Sequence, residues 1–378
     1  MKVLLTNCTR NAGIIIARAL ARAGHDVIGA DDARMPFGLR SRHIRVQHVV
    51  PHEDDPAFVD SLLEIVAHER VEVLLPFSGV EAVAARREEL TAVARFLAPS
   101  TAALAQVADK AVLPALCAEF GIAAPKVYTR EEAVDLLQQA QLSLVVKPRR
   151  GRGAGGGIRF VQTAQELDAA ITSIEGGSDA VIAECIPGDT DNERALHLLC
   201  DRESRLIASF SLRKTAQSPP RVGITAAAVS THDRELVERV APLLETLRWQ
   251  GPLDVEWKLD LRDGLMKLIE INPRFSGAIG FPIALGVDMP ALYVAAAAGA
   301  HLPDAWPSTY ADGAHYLNPA PYIHALPARL RAGGLGPTLR RIRSEISLNV
   351  VVPAWELSDP APLVGKLLRA MRTPAATR

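Results

Sequence analysis

The stretch GPLDVEWKLDLRDGLMKLIEINPRFSG, residues 251–277, decides how this chain is interpreted. Two runs of alternating polar and apolar residues, VEWKLDL and LMKLIEIN, flank the turn signal RDG at 262–264, and this order predicts a β-hairpin. Glu270 and Asn272 are two residues apart and would share one face of a strand, where Glu256 on the partner strand would meet them across the ladder. Two carboxylates and an amide oxygen are hard ligands that suit Mg²⁺. The hairpin therefore predicts a magnesium site.

The alternative for this hairpin is a solvated strand face, which is what paired acids usually mark. Here the acids alternate with apolar residues, as in IEINP, rather than with lysines, and this favours the metal site. Pro273 would stop the second strand, so that Arg274 projects from the turn with a planar fork suited to a phosphoryl group.

A second segment, VVKPRRGRGAGGGIRFV at 145–161, is rich in glycine and arginine. Its glycines satisfy G-x-G-x-x-G, but a dinucleotide-binding turn requires a helix next, and IRFVQ has the pattern of a strand. Strand, glycine loop and strand predict a flexible hairpin that folds over a polyphosphate, with Lys147 supplying a positive charge. The alternative is a mobile surface hairpin whose arginines are only solvated.

The first hundred residues alternate between strand and helix patterns, which predicts a parallel sheet with helices on both faces. Its first turn, TNCTRNAG, has only Gly13 where a dinucleotide fingerprint has three glycines, although Asp31 stands where a ribose-binding acid would. We therefore expect a Rossmann-like support domain rather than a cofactor site.

Composition limits the class of protein. The chain has 378 residues, enough for two or three domains, and 48% of them are hydrophobic. A formal net charge of −1 predicts no general attraction to nucleic acid or to an anionic membrane. The four cysteines share no C-x-x-C spacing, so we expect reduced thiols in a soluble cytoplasmic protein.

The motifs VVKPRRGRGAGGG, VIAECIPGD, DVEW and LIEINPRFSG, in this order and spacing, resemble the ATP-grasp superfamily over roughly residues 100–300. The resemblance implies an α/β Rossmann-like domain followed by a two-lobed α+β ATP-grasp domain that holds MgATP between its lobes. Residues 1–97 would be the Rossmann-like pre-ATP-grasp domain, 98–300 the ATP-grasp domain and 301–378 a C-terminal helical extension. Within the ATP-grasp domain, a flap lobe would span about 125–185 and a metal-site lobe about 186–300.

The resemblance also assigns individual residues. Glu256, Glu270 and Asn272 match the Mg²⁺ ligands, with Mn²⁺ as an alternative ion, and Arg274 matches the phosphate clamp. Asp191 competes with Glu193 for the ribose, because PGDTDNE is two residues longer than the usual motif. The implied ATP contacts are Lys110 and Lys147 at the phosphates. Residues 183–186 match the strand between the lobes whose backbone contacts adenine, with Glu184 accepting from its amino group. The full implied set is Lys110, Lys147, Gly153, Gly155, Gly156, Glu184, Cys185, Ile186, Asp191 and Glu193.

Residues 211–227, SLRKTAQSPPRVGITAA, resemble a loop of carboxylate–amine ligases in which basic residues face the acyl phosphate. Arg213, Lys214 and Arg221 are then catalytic candidates together with Lys147 and Arg274. The alternative is a solvated surface loop, because loop arginines are usually exposed.

The resemblance implies an ATP-dependent carboxylate–amine ligase that forms an amide bond through an acyl phosphate and releases ADP and phosphate. Its partners would be a small-molecule carboxylate and an amine, with no nucleic acid or membrane, and we expect a homodimer. One alternative is a carboxyphosphate-forming enzyme that resembles biotin carboxylase or carbamoyl phosphate synthetase. The other is a non-catalytic ATP-binding regulatory protein.

Overall fold

The structure is a computed structural model. It describes residues 1–32, 41–139, 143–151, 157–174, 179–300, 302, 309–346, 350–352, 356 and 358–360.

The N-terminal part of the chain forms a four-stranded parallel sheet in the order β3-β2-β1-β4. Its elements are β1 (Lys2–Thr6), α1 (Asn11–Arg22), β2 (Asp26–Asp32), β3 (Val46–Val50), α2 (Ala57–Glu69) and β4 (Val73–Leu75). Successive side chains of β1 point to opposite faces, so that Val3 and Leu5 share a core with α1 while Leu4 shares a core with α2. The parallel sheet expected from the strand–helix alternation is present, with a helix on each face.

Short helices carry the chain from this sheet to the next. They are α3 (Val80–Ala85), α4 (Arg87–Thr91), α5 (Thr101–Ala108) and α6 (Leu113–Glu119). Ser100 caps α5, because its hydroxyl accepts a hydrogen bond from the Ala103 N–H over 3.1 Å. The α5–α6 pair has the length and composition of a bent membrane span, with an angle of 104° between the helices, whereas no single helix among the described residues is long and apolar enough to cross a bilayer.

The second sheet has four antiparallel strands in the order β5-β8-β6-β7. Its elements are β5 (Val127–Tyr128), α7 (Arg130–Gln139), β6 (Leu144–Pro148), β7 (Arg159–Val161), α8 (Ala164–Ser173) and β8 (Ala180–Glu184). Leu144 and Val146 pack with both helices in a small core. Strand alternation therefore directs Lys147 to the opposite face, away from the helices.

The third sheet is the largest, with seven strands in the order β13-β12-β9-β10-β11-β14-β15. Its strands are β9 (Glu193–Cys200), β10 (Leu206–Ser218), β11 (Ile224–Thr231), β12 (Gly251–Leu259), β13 (Met266–Asn272), β14 (His315–Leu317) and β15 (Val350–Val351). The helices in this part of the chain are α9 (Arg234–Thr246), α10 (Gly280–Ala284), α11 (Met289–Ala298), α12 (Pro319–Gly333) and α13 (Leu335–Glu345). The segment expected to be a helical extension thus contributes two short strands to this sheet as well as helices.

Tyr293 on α11 fastens the large sheet to the first one. Its buried hydroxyl accepts from the Leu97 N–H over 2.9 Å and donates to the Leu74 carbonyl oxygen in β4 over 2.9 Å. The same helix shares a core with β10 through Phe210 and with β1 through Leu5. The N-terminal unit and the large sheet are therefore packed together around one helix.

Candidate functional site

The hairpin predicted from residues 251–277 is formed by β12 and β13, and it carries the candidate site. In its antiparallel register Glu256 lies opposite Glu270, and Asp254 lies opposite Asn272. Side chains alternate along a strand, so these four residues share one face of the large sheet, which we call the acidic face. The Asn272 amide lies 3.5 Å from a Glu270 oxygen. The structure thus brings the three expected ligands together, and their role in binding a metal remains a prediction.

Lys214 on β10 neutralises part of this acidic face. Its ammonium group is enclosed and lies 2.9 Å from a Glu256 oxygen and 3.2 Å from a Glu193 oxygen. Burial alone would lower the pKa of Lys214, but the two carboxylates outweigh burial and raise that pKa above its ordinary value. Burial also raises the pKa of Glu193, whose carboxylate accepts a hydrogen bond from Gln217 over 2.9 Å.

The acidic face fits a divalent cation with oxygen ligands. Burial raises the pKa of Glu256, and the negative charges of Asp254 and Glu270 raise it further against the opposing effect of Lys214. These carboxylates repel one another, and a divalent cation would relieve that repulsion. No group of three or more His, Cys, Asp or Glu residues in the described ranges is arranged to hold a metal. The predicted donor set is two carboxylates and the Asn272 amide oxygen, which suits an ion that also binds water and substrate phosphates.

Both predicted phosphate-binding lysines line one cleft between the second sheet and β13. The cleft has a volume of about 250 Å³, part of which is open to solvent. Lys110 Nζ lies 3.3 Å from a Glu270 oxygen and donates to the Gly151 carbonyl over 2.9 Å. It therefore links the acidic face to the glycine-rich segment. Burial lowers the pKa of Lys147, with Glu270 opposing and Lys110 reinforcing that shift. The cleft is lined by Lys110, Leu113, Pro114, Pro125, Val127, Lys147, Ala183, Leu268 and Ile269.

The glycine-rich segment joins two antiparallel strands, β6 and β7, as its sequence predicted. This hairpin confirms that the segment is not a dinucleotide-binding turn, which would lead into a helix. At its start the Arg149 guanidinium lies 2.8 Å from Asp109, so this arginine is held by an acid. Gly153, Gly155 and Gly156 lie outside the described residues.

The three residues expected at the adenine follow or end β8. Glu184 is the last residue of that strand, and its carboxylate accepts from Arg262 and lies 3.4 Å from Lys267 Nζ. Burial raises the pKa of the next residue, Cys185, which keeps its sulfur in the thiol form near neutral pH. Ile186 is buried. Glu184 therefore contacts the hairpin through its side chain, and its backbone N–H donates to the Lys126 carbonyl over 2.8 Å.

Of the two acids expected near the ribose, the structure places Glu193 on the acidic face and Asp191 elsewhere. Asp191 lies 3.2 Å from Arg213 and 2.7 Å from Arg341 of α13. Arg341 also donates to the Thr215 carbonyl over 2.6 Å. Asp191 therefore holds the C-terminal helices against the large sheet.

The prediction that residues 211–227 form a loop is wrong, because most of them lie in two strands. Residues up to Ser218 belong to β10 and residues from Ile224 to β11, so only 219–223 form the turn. Strand neighbours point to opposite faces, and Arg213 therefore lies on the face away from Lys214.

Arg221 lies in that turn, and its guanidinium stacks on the Phe160 ring at 3.9 Å, with a nitrogen 4.0 Å from the Cys185 sulfur. Of the three basic candidates from this segment, only Lys214 joins the acidic face.

Asp254 is the main site residue that the sequence analysis missed. It is buried, and burial raises its pKa against the opposing charges of Arg274 and Lys214. The signal was available, because Asp254 precedes Glu256 by two residues and must share its strand face. Arg274 itself follows β13, with its N–H bonded to the Asn272 carbonyl over 2.8 Å.

Comparison with known proteins identifies the kind of domain. Residues 179–315 match the family model described as "ATP-grasp in the biosynthetic pathway with Ter operon". The carbamoyl phosphate synthase large chain of Deinococcus radiodurans is 24% identical over 241 residues, which span 60% of this chain and 23% of that protein. The D-aspartate ligase of Enterococcus faecium is 24% identical over 262 residues, 62% of each chain. The chain thus spans about a quarter of the synthase's length and less than two thirds of the ligase's.

Solved structures show the same fold. The biotin carboxylase domain of the Hydrogenobacter thermophilus 2-oxoglutarate carboxylase, crystallised with MgADP, ADP and bicarbonate, superposes with a TM-score of 0.63 at 17% identity over 83% of this chain and 73% of that one. The L-amino acid ligase of Bacillus licheniformis superposes with a TM-score of 0.59 at 15% identity over 83% and 77% of the two chains.

Proposed function

We propose that the chain is a member of the ATP-grasp superfamily, whose family model matches residues 179–315, and that it is an ATP-dependent carboxylate–amine ligase that releases ADP and phosphate. One observation carries the proposal. Glu256, Glu270 and Asn272 share one strand face, and Lys110 connects that face to the start of the glycine-rich hairpin. Oxygen ligands for a divalent cation thus lie beside a cleft that is lined by cations for phosphates.

In this proposal Lys110 and Lys147 hold the phosphates of ATP, and the backbone of 184–186 contacts the adenine. Glu256, Glu270 and Asn272 would hold Mg²⁺, which when bound neutralises phosphate charge. Arg274 stabilises the charge of the transferring phosphoryl group. The β6–β7 hairpin would cover the phosphates and exclude water from the reactive intermediate.

The reaction has two bond exchanges. A carboxylate oxygen of the substrate bonds to the γ-phosphorus while the bond to ADP breaks, which produces an acyl phosphate. The amine nitrogen then bonds to the acyl carbon, phosphate leaves, and the amine loses a proton. Lys214 stays paired with Glu256 and Glu193 and holds these carboxylates in place for the first exchange.

Amino acids are the first substrates to test. The D-aspartate ligase and the L-amino acid ligase are named for amino acid substrates, and we extend that substrate class to this chain. Bicarbonate belongs in the same test, because the carbamoyl phosphate synthases and the biotin carboxylase domain are also similar to this chain.

Several finer assignments belong to the same proposal. The parallel unit at 1–97 would be a Rossmann-like pre-ATP-grasp domain, 98–300 the ATP-grasp domain and 301–378 an extension. We further propose a cytoplasmic homodimer that also accepts Mn²⁺. Light scattering of the purified protein tests the dimer, and replacement of Mg²⁺ by Mn²⁺ in the turnover assay tests the ion.

The experiment is a product assay with MgATP and pools of amino acids and other carboxylates, alone and in pairs, with bicarbonate as a separate pool. We expect ADP and phosphate only with a carboxylate–amine pair. Glu270→Gln should lower turnover at least 100-fold, because it removes a charged metal ligand, whereas Glu235→Gln on the exposed face of α9 should not change it. ADP formed with bicarbonate alone would favour the carboxyphosphate reaction, and AMP with pyrophosphate would contradict the acyl phosphate.

A further inference from the structure

An ionic cluster lies at the tip of the β12–β13 hairpin, and the proposed reaction does not use its residues. It consists of Asp260, Arg262 and Lys267, and we call it the hairpin-tip cluster. Asp260 is fully buried and accepts from Arg262 Nε over 2.9 Å and from Lys267 Nζ over 2.6 Å. Hydrogen bonds from Arg262, the strongest influence, keep the pKa of Asp260 below its ordinary value against the effect of burial. The two cations are therefore fixed in place by a buried anion.

The cluster reaches across the cleft to the second sheet. Arg262 donates to the Glu184 carboxylate, and Lys267 Nζ lies 3.4 Å from the same group. On its other side Glu184 exchanges two hydrogen bonds with Lys126, from Lys126 N to the carboxylate over 3.2 Å and from Glu184 N to the Lys126 carbonyl over 2.8 Å. Glu184 is thus held from both sheets at once.

The hairpin-tip cluster is distant from the acidic face. Lys267 precedes Glu270 by three residues on β13, which at about 3.3 Å per residue places it about 10 Å farther along the strand. Arg262 lies in the turn that precedes β13, farther still from Glu270. Any effect of the cluster on a nucleotide must therefore act at the Glu184 end of the cleft rather than at the phosphates.

We propose that Arg262 and Lys267 are positioning residues that fix the backbone of 184–186 for contact with the adenine ring. The inference rests on the proposed function, because it assumes that this segment contacts ATP. It assigns the cluster to recognition of the base, separate from the phosphate and metal contacts. A cluster that only stabilised the hairpin would affect base and phosphate binding equally, since β13 carries Glu270.

The test compares two probes by titration calorimetry on the full chain with Mg²⁺ present: ATP, and inorganic tripolyphosphate, which lacks the base. Arg262→Gln should weaken ATP binding about tenfold, equivalent to about 1.4 kcal/mol, and leave tripolyphosphate binding within twofold. Arg234→Gln is the matched control, because this arginine pairs with Glu238 on an exposed helix face. Equal weakening of both probes, or no weakening of either, would overturn the inference.

Glu184→Gln provides an independent variant if Arg262→Gln does not fold, since it leaves Asp260, Arg262 and Lys267 paired with one another. It should also weaken ATP but not tripolyphosphate. If Arg262 acts through Glu184, the double variant should bind ATP no more weakly than the weaker single variant, and additive losses would contradict that route. Failure of the wild-type chain to bind either probe would instead refute the proposed function, and the inference with it.

Discussion

Replacement of Lys214 by methionine should destabilise the protein more than the loss of any exposed lysine or arginine. The Lys214 side chain is 2% exposed, with Nζ 2.9 Å from Glu256 and 3.2 Å from Glu193. At an effective dielectric constant of about 20, each contact has a gross attraction of about 5 kcal/mol. Desolvation offsets most of this attraction, but removal of Lys214 leaves the half-buried Glu256 without this counter-charge and Glu193 with Lys258 at 3.9 Å, which costs about 3 kcal/mol.

The loss should depend on pH in a defined direction. The pKa values of Glu193 and Glu256 are already raised in the folded protein, with burial as the main cause, and removal of Lys214 removes the opposing influence. An acid with a raised folded-state pKa destabilises the fold while it is ionised. The penalty of Lys214→Met is therefore largest at neutral and higher pH, and it is lost as pH falls through the raised folded-state values towards the unfolded value of about 4.3.

Urea unfolding at pH 8 and pH 5.5 measures both effects through the free energy of unfolding. Arg234→Met, on an exposed helix face, is the control and should cost at most about 1 kcal/mol. Lys214→Arg should retain most of the stability because it keeps the charge. A loss for Lys214→Met that equals the control, or that is the same at both pH values, would refute the reasoning.

Two further predictions concern contacts between distant parts of the chain. Tyr293→Phe should cost about 1–3 kcal/mol in urea unfolding, because it leaves the buried Leu97 N–H without its acceptor; an unchanged free energy of unfolding would contradict this. Asp359→Ala should cost about 1–3 kcal/mol, because buried Arg18 loses a partner whose oxygen lies 3.1 Å from its Nε and keeps Glu356 at 3.3 Å. The pKa of Asp359 is lowered in the fold, where hydrogen bonds from Ser41 and Arg42 and the charge of Arg18 outweigh burial, so its contribution should be present above pH about 4 and lost at lower pH. Limited proteolysis at pH 7 and pH 3.5 tests that sign, and equal protection of wild type and variant at pH 7 would contradict it.

Local sequence patterns predicted the β12–β13 hairpin and its register well. Alternation and the RDG turn are contained within 27 residues, and the register they imply places Glu256 opposite Glu270, as observed. The same rule of alternation, applied two residues earlier, would have included Asp254. Local patterns also separated the β6–β7 hairpin from a dinucleotide-binding turn, because the residues after the glycines alternate as a strand.

Features that depend on distant partners could not be predicted in this way. Residues 211–227 were expected to form a loop because they resemble a loop of carboxylate–amine ligases. Residues 211–218 instead belong to β10, which pairs with β9 on one edge and with β11 on the other, with a bulge after Lys214. The ion pair between Arg262 and Glu184 joins residues 78 positions apart. Such contacts depend on how sheets pack, which no short window of sequence contains.

The most direct test of the central claim follows the oxygen atoms of the carboxylate. With the carboxylate–amine pair found in the product assay, ¹⁸O-labelled carboxylate is converted under MgATP, and inorganic phosphate is examined by ³¹P NMR or mass spectrometry. Attack of the carboxylate on the γ-phosphorus predicts one ¹⁸O atom in each phosphate released. Phosphate without label, or label found in AMP, would contradict an acyl phosphate formed at this cleft.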